Sequence, residues 1–451
     1  MYRYLLSLLL ILMPAAAAPP NFVIIFTDDQ GYGDLGCFGS EKIKTPNIDR
    51  LAKEGRRMTS FYVASSVCTP SRAALLTGCY PKRVGLHRHV LFPQSTTGLN
   101  PEKTTTIADV LKTVGYKTAC VGKWHLGHHA ETLPTTQGFD SYYGIPYSND
   151  MSHPDNKSKW RGSLDPIWKA QAESFSKWNA PLVEGTEIIE APADQRTITR
   201  RYTDRAIEFI SENKDQPFFL YLAHSMPHIP LFVPDDVADP DPQNAYTCVI
   251  EHIDDQVGRI ADKLRELGLD KNTYLIYTSD NGPWLQFKHH GGSAGPLRAG
   301  KGTTYEGGQR VPCVVWAPGR VPAGTESDAF TSTMDILPTI ADLAGAKLPE
   351  QRIDGHNIRG SLTGKADSPR KEMVFYTARG ELEGIRSGNW KFLLKNSKKK
   401  ATPELYDLSS DLAESANLAK SKPEVVESLT QRMRALDKEI TEHAIPVWTK
   451  P

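Results

Sequence analysis

Two short apolar runs in this 451-residue chain end in pairs of oxygen-bearing side chains. FVIIF, Phe22 to Phe26, runs into Thr27-Asp28-Asp29, and TYLIYTS, Thr273 to Ser279, runs into Asp280-Asn281. Continuous apolar runs of this length predict strands covered on both faces, and in a parallel α/β sheet ligands bind where the carboxyl ends of such strands line up. Three carboxylates brought to one edge repel each other unless a cation neutralises them. An all-oxygen set favours a hard cation, Ca²⁺ or Mg²⁺. One Asp-Asp pair alone reads as a turn cap; two such pairs at matching positions read as a metal site. Positive and titratable groups fall at the same edge. The run ending at Val121 leads into Lys123 and His125, the run ending at Leu222 leads into His224 and His228, and Lys301 lies in the glycine-rich stretch from Arg298 to Gly308. The lack of bulk there is expected to let backbone approach a ligand. Singly, these residues read as surface lysines or core histidines. Together with a cation they describe a pocket for a tetrahedral oxyanion.

Cys68 begins the run Cys68-Thr69-Pro70-Ser71-Arg72-Ala73-Ala74-Leu75-Leu76. Pro70 near the start of an apolar stretch predicts that Cys68 opens a helix, where an anion is stabilised. A soft thiolate is a poor neighbour for a hard cation, so Cys68 is not expected to act as a thiol. The other cysteines, Cys37, Cys79, Cys120, Cys248 and Cys313, are scattered without a CxxC pair. That spacing suggests neither a zinc site nor a dense disulfide framework, and most read as small buried residues.

The elements that must position these groups follow an α/β pattern. Besides the two runs above, strands are expected at Thr118 to Val121, Phe218 to Leu222 and Cys313 to Trp316. Thr45-Pro46 reads as an N-cap and first-turn proline, opening a helix that stops near Gly55. Tyr246, Val249, Ile250, Ile253, Val257, Ile260, Leu264 and Leu267 repeat at helical spacing, with Gly268 as the stop. Between Met151 and Pro192, Trp160, Trp168 and Trp178 sit among polar residues and prolines with no clean period, which reads as a long irregular excursion. From Ser368, strands at Met373 to Tyr376, Gly384 to Arg386 and Trp390 to Leu394 precede a helix from Pro423 to Ile440. Lys398-Lys399-Lys400 reads as a solvated turn.

Composition narrows the class. Lys+Arg and Asp+Glu both number 53, and a zero net charge argues against a phosphate-tracking surface and so against nucleic acid as partner. At the N-terminus, Arg3, the apolar stretch from Leu5 to Met13 and the small residues Ala15 to Ala18 form a signal-peptide layout. No later run is long and apolar enough to span a bilayer. A secreted or periplasmic protein is expected, with a bacterial periplasm favoured over the eukaryotic route that a single sequon, Asn156-Lys157-Ser158, would suggest.

Cys68-Thr69-Pro70-Ser71-Arg72 resembles the Cys-x-Pro-x-Arg signal of the type I sulfatase family, in which the cysteine is oxidised to formylglycine. TDDQGYGDLGCFG from Thr27, GYKTACVGKWHLG from Gly115, FFLYLAHSMPHIP from Phe218, TSDNGP from Thr278 and GKGTTYEGGQRVP from Gly300 resemble that family in the same order, and ELYDL from Glu404 resembles its closing region. The likeness is strongest to the arylsulfatase A and N-acetylgalactosamine-6-sulfatase branch. It implies an alkaline-phosphatase-like mixed sheet flanked by helices, with a smaller C-terminal antiparallel sheet plus helix. The corresponding layout is a signal peptide over 1–18, a catalytic domain over 19–367 and a C-terminal α+β subdomain over 368–451.

The resemblance also implies roles. One Ca²⁺ is held by Asp28, Asp29, Asp280, Asn281 and the modified Cys68. Arg72 holds the formylglycine hydrate, His125 contacts it, and Lys123 and Lys301 bind sulfate. His228, in His-x-Pro, matches the leaving-group histidine, with His224 the weaker candidate. Ser148, Asn149 and Asp150, in GIPYSND, resemble a substrate-side segment. The implied reaction is hydrolysis of a sulfated carbohydrate, a hexose or hexosamine O-sulfate. In it, one hydroxyl of the aldehyde hydrate attacks sulfur and deprotonation of the other releases sulfate. A formylglycine-generating or anaerobic sulfatase-maturating enzyme is the implied partner. Two other readings keep the fold: a phosphate or phosphonate monoester hydrolase, and a non-catalytic carbohydrate-binding protein.

Overall fold

The computed structural model describes residues 18–151, 179–397 and 400–451. The expected leader up to residue 17, Trp160, Trp168, Trp178, the sequon and Lys398-Lys399 lie outside the described residues. Among the described residues, ten strands form the main sheet: β1 Asn21–Thr27, β2 Arg56–Met58, β3 Lys117–Gly122, β4 Ser141–Gly144, β5 Leu182–Glu184, β6 Glu187–Glu190, β7 Phe218–Ala223, β8 Thr273–Ser279, β9 Cys313–Trp316 and β10 Thr325–Ser327. Their spatial order is β10-β2-β9-β8-β1-β7-β3-β4-β5-β6. The central strands β8, β1, β7, β3 and β4 run parallel, so their carboxyl ends share one edge. β9 pairs antiparallel with β8, and the β5–β6 hairpin pairs antiparallel with β4. The sheet is mixed, as expected. The excursion after Met151 is not irregular throughout, because its end forms that hairpin.

All seven residues of β1 are buried, which is why the strand reads as an unbroken apolar run. Alternate side chains feed two cores. Val23 and Ile25 meet helices α1 Pro46–Glu54, α4 Ile198–Glu212 and α5 Ala245–Glu266. Phe22, Ile24 and Phe26 meet α2 Cys68–Thr77, α3 Ile107–Lys112 and α6 Ile336–Ala344 on the other face. α1 begins at Pro46, but Thr45 does not cap it through its side chain. The Thr45 hydroxyl instead accepts from the Gly36 N–H at 2.8 Å and donates to Asp49 at 3.0 Å.

A second, antiparallel sheet holds β11 Glu372–Tyr376, β12 Leu382–Ser387, β13 Trp390–Ser397 and β14 Lys400–Asp407. β14 goes beyond the three strands expected; as an edge strand it tolerates Pro403, which has no N–H to donate. Helix α7, Pro423–Glu442, covers this sheet with Leu429, Met433 and Ile440. The same core includes Tyr62, Tyr80, Phe330 and Met334 from the larger unit, so the two sheets pack against one another.

Candidate active site

At the carboxyl edge of the parallel strands, Asp28 and Asp29 leave β1, Asp280 and Asn281 leave β8, and Cys68 opens α2. Ligand atoms of Asp28, Asp29, Cys68 and His228 all lie within 4.8 Å of one another, and all four residues are buried. Cys68 Sγ is 3.5 Å from Asp28 Oδ1. The Asn281 amide donates to Asp29 at 2.7 Å, while its Oδ1 is buried with no hydrogen-bond partner among the described residues. A buried, unsatisfied carbonyl beside three carboxylates is a donor set that fits a hard cation. Asp29 (φ 64°) and His125 (φ 61°) adopt left-handed backbone that costs a non-glycine residue energy, and such strain gathers at functional sites.

Cations hold the acids apart. Arg72, one turn into α2 and fully buried, donates to Asp280 at 2.8 Å and Asp28 at 3.1 Å, and Nη1 reaches the Lys123 carbonyl at 3.0 Å. Lys123 pairs with Asp28 and donates to Ser148 at 3.1 Å. Lys301 pairs with Asp29 at 2.6 Å and lies 3.7 Å from Cys68 Sγ. Burial would raise Asp28, but Lys123 and Arg72 hold its carboxyl well below the usual range. Asp29 is pushed up by burial against the pull of Lys301, with Asp28 and Asp280 adding to the rise. Asp280 is raised by burial and by Asp28. The three acids cannot all be comfortably ionised on their own. Burial, then Asp28 and Asp280, drive the Cys68 thiol well above its ordinary value, so it stays protonated and a poor nucleophile.

The histidines differ in setting. His125 is buried, and burial together with Lys123 keeps its ring neutral. Its Nε2 lies 2.9 Å from the Leu91 carbonyl, which can only accept, so Nε2 carries the proton and Nδ1 the lone pair. His228 is also kept neutral, by burial and Lys301. Its Nδ1 faces the Asn149 side-chain oxygen at 3.0 Å, and its Nε2 faces Ser148 at 3.4 Å and Asp29 at 3.7 Å. The Asn149 amide donates to Gln195 at 3.0 Å and the Pro230 carbonyl at 3.1 Å, which fixes its oxygen toward His228. A cavity of about 200 Å³ lies over Cys68, lined also by His125, Ser148, Asp150, His228 and Lys301. Asn149 turns away from that cavity to orient His228. His224 is not brought to the cluster; it packs against Tyr202 beneath the sheet.

The sequence model of the family Sulfatase matches residues 20–346. The chain belongs to the sulfatase family. A second model, N-sulphoglucosamine sulphohydrolase, C-terminal, matches residues 300–439. The sulfatase is 39% identical to arylsulfatase A of Homo sapiens over 448 residues, covering 92% of this chain and 87% of that protein. It is 38% identical to arylsulfatase G of Rattus norvegicus over 464 residues, covering 93% and 86%. It superposes on the crystal structure of Ps i-CgsB in complex with k-i-k-neocarrahexaose with a TM-score of 0.80 at 30% identity, covering 96% of this chain and 95% of that one. The protein is therefore an enzyme that hydrolyses sulfate esters, of the arylsulfatase A-like branch.

Two features of the sulfatase differ from or exceed the expectation. Gly300 and Gly307 approach neighbouring backbone closely: a Cβ on Gly300 would stand 2.3 Å from the Pro283 carbonyl oxygen and one on Gly307 2.2 Å from that of Ala299, whereas one on Gly302 (φ 82°) would meet nothing within 4 Å. They let the Lys301 loop lie flat on neighbouring backbone. The cavity also has an apolar wall of Val67, Val90, Phe92 and Trp284, whose one local signal is the position of Trp284 just after Asp280-Asn281.

Proposed function

We propose that this sulfatase removes sulfate from a sulfated carbohydrate, a hexose or hexosamine O-sulfate, using a nucleophile made from Cys68 by oxidation to formylglycine and one Ca²⁺. The observation that carries the reading is the setting of Cys68. Its Sγ lies 3.5 Å from Asp28 Oδ1 at the floor of an anion pocket, where burial and the surrounding carboxylates push the thiol up, which suits a precursor better than a finished nucleophile. Asp28, Asp29, Asp280 and Asn281 would hold the cation, and Arg72 would keep Asp28 and Asp280 aimed at it. Once present, formylglycine supplies a hydrated carbon with two hydroxyls and Ca²⁺ supplies charge neutralisation for sulfate oxygens.

The remaining chemistry belongs to side chains described above. Lys123 and Lys301 meet the sulfate as fixed positive charges. Lys301 keeps its proton despite burial because Asp29 lies against it. His125 presents an unprotonated Nδ1, fit to take a proton from a hydroxyl on residue 68. His228 presents Nε2 toward the cavity. The protonated ring would pass a proton from that atom to the departing alcohol. The likeness to Ps i-CgsB, solved with a neocarrahexaose, supports a carbohydrate over a simple aryl alcohol. Export to a periplasm or the cell exterior belongs to the same reading, as does a maturating enzyme as partner. Among the described residues no helix is long and apolar enough to cross a membrane.

The test has two arms. Mass analysis of the Cys68 peptide from protein produced with a maturating enzyme is expected to find the aldehyde. Sulfate release is then measured across sulfated mono- and disaccharides, with phosphate monoesters alongside. Unmodified Cys68 in fully active protein, or faster phosphate release, overturns the reading.

A further inference from the structure

Trp284 sits three residues beyond Asn281 and is half-buried. Its indole touches both a sulfate-binding group and the group that faces the departing oxygen. Lys301 Nζ lies 4.2 Å from the ring centroid, and the His228 ring centroid is 5.5 Å away with the planes inclined by 51°. Phe287 meets the indole edge-on at 4.7 Å. Gly291 allows close backbone packing behind it, since a Cβ there would stand 2.3 Å from the Trp284 carbonyl oxygen. Phe287 thus backs the indole, and Gly291 its backbone, while the ring lines the cavity with Val67, Val90 and Phe92. Phe92 is 43% exposed at this wall, unusual for so large an apolar side chain.

The cavity is therefore two-sided. One wall, Cys68, Ser148, His228 and Lys301, suits the sulfate; the other is apolar and aromatic. The oxygen that leaves sulfur must come within hydrogen-bond reach of His228 Nε2 to receive its proton. The carbon skeleton attached to that oxygen then falls within about one ring's width of the indole, given its separation from His228. A rigid aromatic face beside a few fixed polar groups is how ligand sites select shape.

We propose that Trp284 is a specificity-determining residue for the alcohol half of the ester: its indole is the surface against which the sulfated ring lies, so the site selects cyclic over open-chain alcohol sulfates. The proposal rests on the assignment of His228 to the departing oxygen and on the carbohydrate reading above.

The experiment compares Trp284→Ala, Trp284→Leu and Trp284→Phe with the parent enzyme after thermal melts establish that each folds. Four probes are used: a monosaccharide O-sulfate, 4-nitrophenyl sulfate, a short linear alkyl sulfate, and inorganic sulfate as competitive inhibitor. In Trp284→Ala and Trp284→Leu, KM for the two cyclic esters is expected to rise about tenfold, with kcat changing less. Trp284→Phe recovers most of the loss. The linear ester and the inhibition constant of inorganic sulfate stay within about twofold, because neither uses the indole face. If inhibition by inorganic sulfate weakens in step with KM, the indole acts through Lys301 and the proposal falls. Equal losses on linear and cyclic esters, or no change on cyclic ones, also overturn it. If the parent cleaves 4-nitrophenyl sulfate but no monosaccharide sulfate, the carbohydrate reading fails while the indole is still judged on the aryl ring. Should Trp284→Ala not fold, Trp284→Leu, which keeps bulk without the aromatic face, decides.

Discussion

Two buried charge clusters lie within a short distance along the chain, and they are built differently. At the active site Asp28, Asp29 and Cys68 converge, Asp280 and Asn281 join them through Arg72 and Asp29, and Asn281 Oδ1 is left unsatisfied among the described residues. Five residues past Lys301, Glu306 enters a second cluster. Lys391 of β13 pairs with Glu306 at 2.8 Å and with Glu414 at 2.9 Å, all three fully buried. Tyr62 and Arg310 bond the other Glu306 oxygen, and the Glu306 N–H donates to Glu414 at 2.7 Å. Here one lysine joins both acids; at the active site Arg72 joins Asp28 to Asp280 and Lys301 pairs with Asp29, yet three acids, Cys68 and an unsatisfied carbonyl share one sheet edge beside a cavity. A cluster of the first kind fastens the second sheet to the catalytic edge. One of the second kind is open to a cation and an anionic substrate.

Substitution at the open cluster is expected to remove chemistry without removing the fold. Cys68→Ala should lose turnover on the order of 10⁴-fold or more, as loss of a covalent nucleophile does, while its melting temperature stays within a few degrees of the parent. The check is sulfate release per folded molecule beside a thermal melt; turnover near that of the parent would refute the nucleophile. Next in size, chelation of divalent cations should lower turnover by about 10²-fold or more and lower the melting temperature by about 2–5 °C, both restored by Ca²⁺. Asp29→Asn should lose both responses, whereas Glu306→Gln should keep them. A calcium response that survives in Asp29→Asn would remove the distinction between the clusters.

What the sequence revealed follows the same division. β1 and β8 were legible because both faces are buried and every residue is apolar or small, and the pairs Asp28-Asp29 and Asp280-Asn281 were legible because they follow those strands directly. Cys68, Pro70 and Arg72 lie within one helical turn and carry their signal locally. β2 and β10 were not legible, being three-residue strands made largely of polar residues, β10 at the sheet's edge and β2 next to it. β6 escaped because Ile188 and Ile189 are both exposed, which destroys alternation. Contacts between distant residues left no local trace: Asn149 orients His228 from 79 positions away, and Glu306 meets Lys391 from 85. The glycine spacing near Lys301 signalled a close approach, and at Gly300 and Gly307 its object includes the Pro283 and Ala299 backbone.

The closed cluster should govern stability. Burial alone would raise Glu306, but Lys391 and Arg310 outweigh it and lower the carboxyl to about 2. Glu306→Gln leaves Lys391 less well paired in the interior and should cost about 3 kcal/mol in unfolding free energy, with kcat of the folded enzyme little changed. The sign with pH follows from a folded value below the unfolded one. The Glu306 contribution is full above about pH 4.5 and is lost as pH falls through about 2. The stability gap between parent and Glu306→Gln, measured by denaturant melts, should therefore be constant near neutrality and close between those two values. A gap that widens with acid would reverse the assignment.

The smallest effect is expected at His224, which belongs to neither cluster although it lies four residues before His228. It is fully buried, and both ring nitrogens lack a hydrogen-bond partner among the described residues. Burial, with His252 nearby, lowers it to about 3, so the ring is neutral near pH 7. A buried polar group without partners adds nothing that an apolar ring of similar shape could not. His224→Phe should hold kcat/KM within about twofold and leave the melting temperature equal or slightly higher, whereas His228→Ala should lose about 10²-fold or more in turnover of esters with a poor leaving group. The leaving group makes the comparison sharp: 4-nitrophenyl sulfate departs without much help from an acid, so its turnover should fall less in His228→Ala than that of a sugar sulfate. His224→Phe should leave the two esters in the parent's ratio. A loss in His224→Phe that is greater for the sugar sulfate than for the aryl ester would move the proton donor to His224 and out of the open cluster.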